Sequence, residues 1–271
     1  MRRFRLSAYV SALLLAAGFA LTGAAEAQAS PQLAITGGYV SLGDSYASGV
    51  GAGNYISTSG SCDRSTNAHP YTWNAAHHPA SFAFNACSGA TTDDVMANQL
   101  GSLNSSTGLV SVTVGGNDAG FSDVMMTCVV GSDSDCVNRI NTAKAYINNT
   151  LPGKLNTVYS AVRGRAPSAR VVVLGYPRFY KLNVAGCVGL SETKRSAINS
   201  AADTIDGVIQ NRAAAYGFVF GDVRTTFAGH ELCTGDDWLH SVDWGDFGQS
   251  YHPTALGQNN GYLPVLTNAA G

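Results

Sequence analysis

Five short apolar runs, each closed by a polar turn that carries glycine or lies beside one, constrain this chain more than any other feature. Leu109-Val110-Ser111-Val112-Thr113-Val114 is β-branched almost throughout and stops at Gly115-Gly116-Asn117-Asp118. Ala169 to Leu174 is nearly all apolar and stops at Gly175-Tyr176-Pro177. An apolar run without alternation suits a strand covered on both faces, the usual condition in a parallel sheet. Tyr39-Val40-Ser41-Leu42 before Gly43-Asp44-Ser45, the alternating Ser81 to Ala86 before Cys87-Ser88-Gly89, and Phe218-Val219-Phe220 complete the set. Helical patterns fill the intervals. Thr91-Thr92-Asp93-Asp94 opens one helix, with Val95, Met96 and Leu100 on its apolar side. Asp135 to Val162 predicts a long helix that Pro152 kinks or divides, Glu192 to Tyr216 another, and Pro253 to Leu266 a closing one. Strands alternating with helices place the chain in the α/β class. The expected architecture is a three-layer α/β/α sandwich on about five parallel strands, of the flavodoxin-like kind. Val50 to Pro79 carries neither period and reads as a long functional loop.

The first residues read as a targeting segment. Arg2, Arg3 and Arg5 precede an apolar stretch from Leu6 to Leu21, and Ala27-Gln28-Ala29 and Ala25-Glu26-Ala27 offer competing cleavage sites. The expectation is a signal peptide over 1–29, a single domain over 30–271, and secretion to the outside of the cell. No later stretch approaches the roughly 18 to 20 apolar residues that a membrane span needs. Charged residues make up 13% and the net charge is −2, with no basic stripe, so nucleic acid is excluded as an expected partner. Six cysteines at 62, 87, 128, 136, 187 and 233 form no CxxC pair. An even count in an exported chain argues for three disulfides. Of the 15 possible connectivities, spacing favours Cys62–Cys87, Cys128–Cys136 and Cys187–Cys233.

Strands that run parallel bring their carboxyl ends to one edge of the sheet, where ligands bind in open α/β folds. The turns gathered there supply Ser45, Gly89 and Asn117, and Ser250-Tyr251-His252-Pro253 supplies His252 before the closing helix. Ester hydrolysis by acyl transfer needs this set: a hydroxyl nucleophile, an imidazole to take and return its proton, and donors aimed at the developing oxyanion. The backbone N–H groups of Ser45 and Gly89 and the side-chain amide of Asn117 are the candidate donors. Taken alone, Ser45 reads equally well as a helix cap.

Gly43-Asp44-Ser45 near the mature N-terminus, Gly89 in the second turn, Gly115-Gly116-Asn117-Asp118 after the third strand and His252-Pro253 near the end resemble the GDSL, or SGNH, hydrolases. The likeness covers nearly the whole mature chain in the family's order. It is closest to the extracellular esterases, lipases and phospholipases A1 of actinomycetes, which it matches in size, in six cysteines and in the opening Gly43 to Gly53. The resemblance implies that Ser45 is the nucleophile, that Ser45, Gly89 and Asn117 form the oxyanion hole, and that His252 is the base. It also implies an acyl ester or lipid as substrate, met in some cases at a lipid interface, and a monomer without cofactor or metal. One position departs: Gln249 stands where the family usually places an aspartate three residues before the histidine. Glutamine cannot balance an imidazolium charge. The backbone carbonyl of Ser250 is the candidate support for His252, with Asp246 and Asp243 as rivals. If Pro253 were the first helical residue, His252 would sit at the helix cap, where the positive dipole end favours a neutral ring.

Phe121, Val124, Met125 and Met126 follow the Asn117 turn and suit either an acyl pocket or the core. Tyr46, Tyr176, Phe179 and Tyr180 carry the same ambiguity. His69, His77, His78, His230 and His240 are scattered without metal spacing and read as loop or surface residues. The aspartates at 133, 135, 236, 237, 243 and 246 lack an EF-hand pattern and read as solvated loops. Two other functions remain open on this fold: a carbohydrate O-deacetylase, which would want a polar cleft with aromatic platforms, and a binding module without chemistry.

Overall fold

The structure is a computed structural model in which residues 35–271 are described; the expected signal segment lies outside them. The chain begins with β1 (Gly38–Gly43), α1 (Ser45–Ser48), α2 (His69–His77), β2 (Phe82–Phe84) and the single turn α3 (Thr92–Asp94). Next come β3 (Thr107–Thr113), α4 (Phe121–Val130), α5 (Asp133–Asn149), α6 (Leu151–Arg165) and β4 (Arg170–Leu174). It ends with α7 (Glu192–Ala215), β5 (Val219–Gly221) and α8 (Leu263–Ala270). The five strands pair in the order β2-β1-β3-β4-β5, every neighbour parallel. Every residue of β1 is buried, and only Arg170 of β4 is exposed. The non-alternating apolar runs are thus strands covered on both faces.

The strand order reverses direction at β1, so the loops that leave β1 and β3 diverge and open a crevice between them. In doubly wound sheets that is where ligands lie. The register Leu42↔Val112 and Gly43↔Thr113 brings the exits of both strands to the same height. The Ser45 turn and the Asn117 turn are therefore neighbours.

The pattern over Asp135 to Val162 is divided, as expected of Pro152, into two helices parted at Thr150, with Pro152 in the first turn of α6 where its missing N–H costs no bond. Three expectations need correction. The Val50 to Pro79 loop is partly regular, holding a 3-10 segment over Ser57–Cys62 and α2. His69, expected at the surface, is fully buried: its Nδ1 meets Gln258 Oε1 at 2.7 Å and its ring stacks on Tyr262. Pro253 does not begin the closing helix. It forms an isolated antiparallel bridge with Leu239, and a π turn over Gly257–Tyr262 leads into α8. His252 accordingly lies in a bend before that bridge, outside the helix, so the dipole account of its neutral ring falls away.

Three disulfides join Cys62 to Cys87, Cys128 to Cys136 and Cys187 to Cys233, and no described cysteine is free. Among the described residues no helix is long and apolar enough to cross a membrane, and no group of three or more His, Cys, Asp or Glu side chains is placed to hold a metal ion.

Candidate active site

Ser45 owes its position to the residue two places before it. Gly43 has φ +124°, and a Cβ there would stand 2.1 Å from the carbonyl oxygen of Thr113, so only glycine permits β1 and β3 to stay paired to their last residues. Gln99 then clamps that glycine from both sides. Its Oε1 accepts the Gly43 N–H at 2.7 Å and its Nε2 donates to the Gly43 carbonyl at 2.9 Å. Asp44, extended at φ −100°, caps α1 by accepting the Tyr46 N–H. The chain must turn at once into a helix, and Ser45 becomes its first residue with a free N–H.

The hydroxyl of Ser45 meets Nε2 of His252 at 2.7 Å. On the far side of the ring, Nδ1 lies 3.1 Å from the Ser250 carbonyl oxygen. A carbonyl can only accept, so Nδ1 carries the proton and Nε2 is left to take the one on Ser45. The contact between residues two apart is possible because Tyr251 has φ +65°, a left-handed conformation unusual for a bulky side chain. The Tyr46 hydroxyl donates to the Tyr251 carbonyl at 2.8 Å, and the hydroxyls of Tyr180 and Tyr251 lie 3.0 Å apart; these bonds hold the turn. Such a backbone costs on the order of 1–3 kcal/mol and persists only where neighbours over-determine it.

Neither rival carboxylate reaches the ring. Asp243 accepts from the N–H groups of Gly245 and Asp246 and from Nε2 of Gln249. Asp246 has no hydrogen bond to His252 among the described residues. Burial against Tyr46 and Phe121 pulls the pKa of His252 down to about 4, with neighbouring His240 adding to the effect; the Ser250 carbonyl works in the opposite direction.

The three expected oxyanion donors lie on the turns that follow β1, β2 and β3. The N–H groups of Ser45 and Gly89 have no acceptor among the described residues. Gly89 adopts φ +76° with open space where a Cβ would be, so its identity answers to backbone conformation rather than crowding. Asn117 spends one amide hydrogen on the Ala90 carbonyl at 3.1 Å, which ties the turn after β3 to the turn after β2 and leaves the second hydrogen available.

Tyr176, at the exit of β4, binds these parts together. Its hydroxyl accepts the Gly116 N–H at 3.0 Å and donates to Asp44 Oδ2 at 2.6 Å, linking the turn before Asn117 to the turn before Ser45. Asp206 of α7 fixes Tyr176 in turn by accepting its N–H at 2.8 Å. Burial raises Asp44 to about 7 and Asp206 to about 8, although Tyr176 and Arg224 respectively oppose the shifts. Sequence reasoning named Tyr176 only as a flanking residue and passed over Gln99 and Asp206. A lone polar residue inside a helical pattern carries no mark of the turn it will clamp.

Beside the Asn117 turn opens an apolar cavity of about 70 Å³ between α4, α5 and α7. Phe121, Val124 and Met125 line it from α4, Phe179 from the β4 exit, and Ile198 and Ala202 from α7. Met126, grouped with these in the sequence, points away and is partly exposed. Phe121 packs against both Phe179 and His252, so one wall residue of the cavity touches the His252 ring.

The chain is similar to known proteins over most of its length. Residues 41–259 match the model of the GDSL-like lipase/acylhydrolase family. Lipase 1 of Streptomyces coelicolor is 66% identical over 270 residues, covering 100% of both chains. The crystal structure of phospholipase A1 from Streptomyces albidoflavus NA297 superposes with a TM-score of 0.85 at 61% identity, over 86% of this chain and 99% of that one. The extracellular lipase of Streptomyces rimosus superposes with a TM-score of 0.84 at 60% identity, over 86% and 100%.

Proposed function

This chain belongs to the GDSL-like lipase/acylhydrolase family, and from that premise we propose how its residues carry out the reaction. The chain hydrolyses carboxylic esters, and its substrates are esters of acyl lipids. Ser45 attacks the ester carbonyl while His252 takes its proton through Nε2. The oxyanion that forms is met by the N–H groups of Ser45 and Gly89 and by the Asn117 amide. His252 then hands the proton to the leaving alcohol, which leaves the acyl group on Ser45. Water attacks that acyl-enzyme with His252 again as base, and the acid is released with Ser45 restored. The catalytic pair is a dyad oriented by the Ser250 carbonyl, which fixes the tautomer without supplying charge. Swapping the aspartate of a chymotrypsin-type triad for asparagine costs about 10⁴, largely through the wrong tautomer. A carbonyl that secures the tautomer therefore supplies much of what a carboxylate would.

The observation that carries this reading is the 2.7 Å contact from Ser45 Oγ to His252 Nε2, with Phe121 of the apolar cavity packed on the His252 ring. Apolar walls favour an acyl chain over a sugar ring, and they weigh against the carbohydrate deacetylase. We propose further that residues 1–29 are a signal peptide and that 30–271 leave the cell as a monomeric, single-domain enzyme. Wild type and Ser45→Ala are to be compared on short-chain, long-chain, phospholipid and acetyl-sugar esters. The expected result is turnover of acyl-lipid esters by wild type and a loss of at least about 10⁴-fold in the variant. Turnover of acetyl-sugars alone would replace this reading by the deacetylase.

A further inference from the structure

The ester carbon held between Ser45 and its oxyanion donors has two substituents, which leave it in opposite directions. The apolar cavity opens on the Asn117 side of the donors. On the Gly89 side lies a second cleft, of about 430 Å³, lined by Arg64, Ser88, Gly89, Ala90, Asp94 and Asn98 among others. Its Ala90 carbonyl is the one that anchors Asn117, so this cleft also begins at the oxyanion hole. An acyl chain in the first cavity sends the alcohol half of the ester into the second.

Arg64 gives this cleft its character. It is half-buried and forms no ion pair among the described residues, whereas Arg139, Arg178, Arg195 and Arg224 all meet carboxylates. Its Nε donates to the Ala86 carbonyl at 2.8 Å, which pins the guanidinium against the segment that leads to Gly89. Its two Nη groups have no protein acceptor among the described residues. The Ser88 hydroxyl and the Asn98 amide, in the same lining, are likewise without protein partners there. Burial pulls the pKa of the Arg64 guanidinium down, the mark of a cation that lacks a counter-charge. A planar fork held at one nitrogen and open at the other two is suited to phosphate oxygens. Asp94 shares the lining; its Oδ2 accepts from the N–H and hydroxyl of Thr91, and its pKa is lowered by those bonds. That standing negative charge favours the single charge of a phosphodiester over the double charge of a phosphomonoester.

We propose that this cleft is a head-group subsite in which Arg64 binds the phosphodiester of a glycerophospholipid while the scissile acyl chain lies in the cavity beyond Asn117. The subsite rests on the ester-hydrolase reading above and adds a phospholipid preference to it. The test sets dioleoylphosphatidylcholine against dioleoylglycerol in the same mixed detergent micelles, with wild type, Arg64→Gln, Arg64→Lys and Ser45→Ala. Arg64→Gln is expected to lower kcat/KM on the phospholipid by about tenfold or more, as for loss of a charge-assisted bond, and to leave the diacylglycerol within about twofold; Arg64→Lys is expected to fall between. An equal loss on both substrates, or on neither, overturns the subsite. Should Arg64→Gln fail to fold, wild type decides the matter alone. Glycerophosphocholine should inhibit hydrolysis of a short-chain ester more strongly than inorganic phosphate at equal concentration; equal inhibition, or none, refutes a phosphodiester site. Wild type inert on both lipids would strike the ester-hydrolase reading itself, whereas turnover of diacylglycerol indifferent to Arg64 would strike only the subsite.

Discussion

In the proposed dyad His252 has no carboxylate beside it, and burial keeps its ring neutral. A histidine in water is half protonated at about pH 6.5, and only the neutral half can serve as base; here the pKa of about 4 keeps Nε2 free well into acid. The acidic limb of kcat/KM reports the free enzyme's base, so its midpoint should lie near pH 4, checked on a soluble ester between pH 3 and 8. A midpoint near 6.5 would contradict the geometry. The same absence of charge predicts that Asp243→Asn and Asp246→Asn retain kcat within about threefold, far from the ~10⁴ loss when a triad aspartate is replaced. Tyr176 makes the opposite case. Tyr176→Phe keeps the ring that lines the cavity and removes only the hydroxyl between Gly116 and Asp44. Loosening the Asn117 turn weakens an oxyanion donor, and loss of one such donor costs about 10²–10³. A fall in kcat of roughly tenfold to a hundredfold with KM unchanged is expected, equal for short and long acyl chains.

At the scale of elements, the site is an agreement between strand exits. β1 delivers Ser45, the segment after β2 delivers Gly89, and the turn after β3 delivers Asn117. β4 delivers the tyrosine that ties the first and third together. The helices contribute substrate space: α4 and α7 do not close completely over α5, and the gap between them is the apolar cavity. Ala202 stands on the α7 wall, almost fully buried, where a larger side chain would fill the gap rather than meet a packed neighbour. Ala202→Phe should therefore lower kcat/KM for esters of long acids by an order of magnitude or more and spare acetate esters, as a chain-length series would record. Overpacking costs about 1–3 kcal/mol in a filled core; an unchanged Tm would indicate that the phenyl ring occupies space that was open.

At the scale of the whole molecule, disulfides and buried charges set the conditions under which the site survives. Cys62–Cys87 closes a separation of 25 residues, and the Ser88 N–H beside it donates to the Cys62 carbonyl. In the chain-entropy account, a loop of that length is stabilised by about 3 to 4 kcal/mol. Replacing both cysteines by serine should lower unfolding free energy by about that amount in denaturant titrations, and should reduce kcat because Gly89 follows two residues on. The pH dependence of stability has two opposed parts. His252 and His69 have folded pKa values of about 4 against 6.5, so their stabilisation is present above pH 6.5 and is lost as pH falls toward 4. Asp44 at about 7 and Asp206 at about 8, against 3.8, contribute fully below 3.8 and lose it as pH rises through those values. The two parts offset between about pH 4 and 6.5, and above that the aspartates act alone. Stability should fall from pH 6.5 to 9, and Asp206→Asn, which keeps an acceptor for the Tyr176 N–H, should flatten that fall in melting curves.

Much of the architecture is local, and the sequence by itself determined it. β-branched runs without alternation require a sheet covered on both faces, and glycine-bearing turns mark where its strands end. Ser45, Gly89 and Asn117 each sit at such a mark and His252 stands before a proline near the chain's end, so the candidate nucleophile, base and oxyanion donors were legible in the sequence. The cysteines, paired by nearest spacing, were legible for the same reason. Tertiary structure alone decided how these residues are held. Ser250 gains its hold on His252 from a left-handed Tyr251, which two tyrosines from distant segments maintain. Tyr176 clamps two turns that are more than 60 residues apart in the chain, separations that no local pattern can encode. His69 is buried because Gln258, some 190 positions away, satisfies it. Pro253, locally a good helix start, was claimed instead by a bridge to Leu239. For His252, Tyr176 and His69 the deciding partner is remote in sequence, and its hydrogen bond outweighs the local preference; for Pro253 the flanking bonds, from the His240 N–H to the His252 carbonyl and from the Thr254 N–H to the Trp238 carbonyl, do the same.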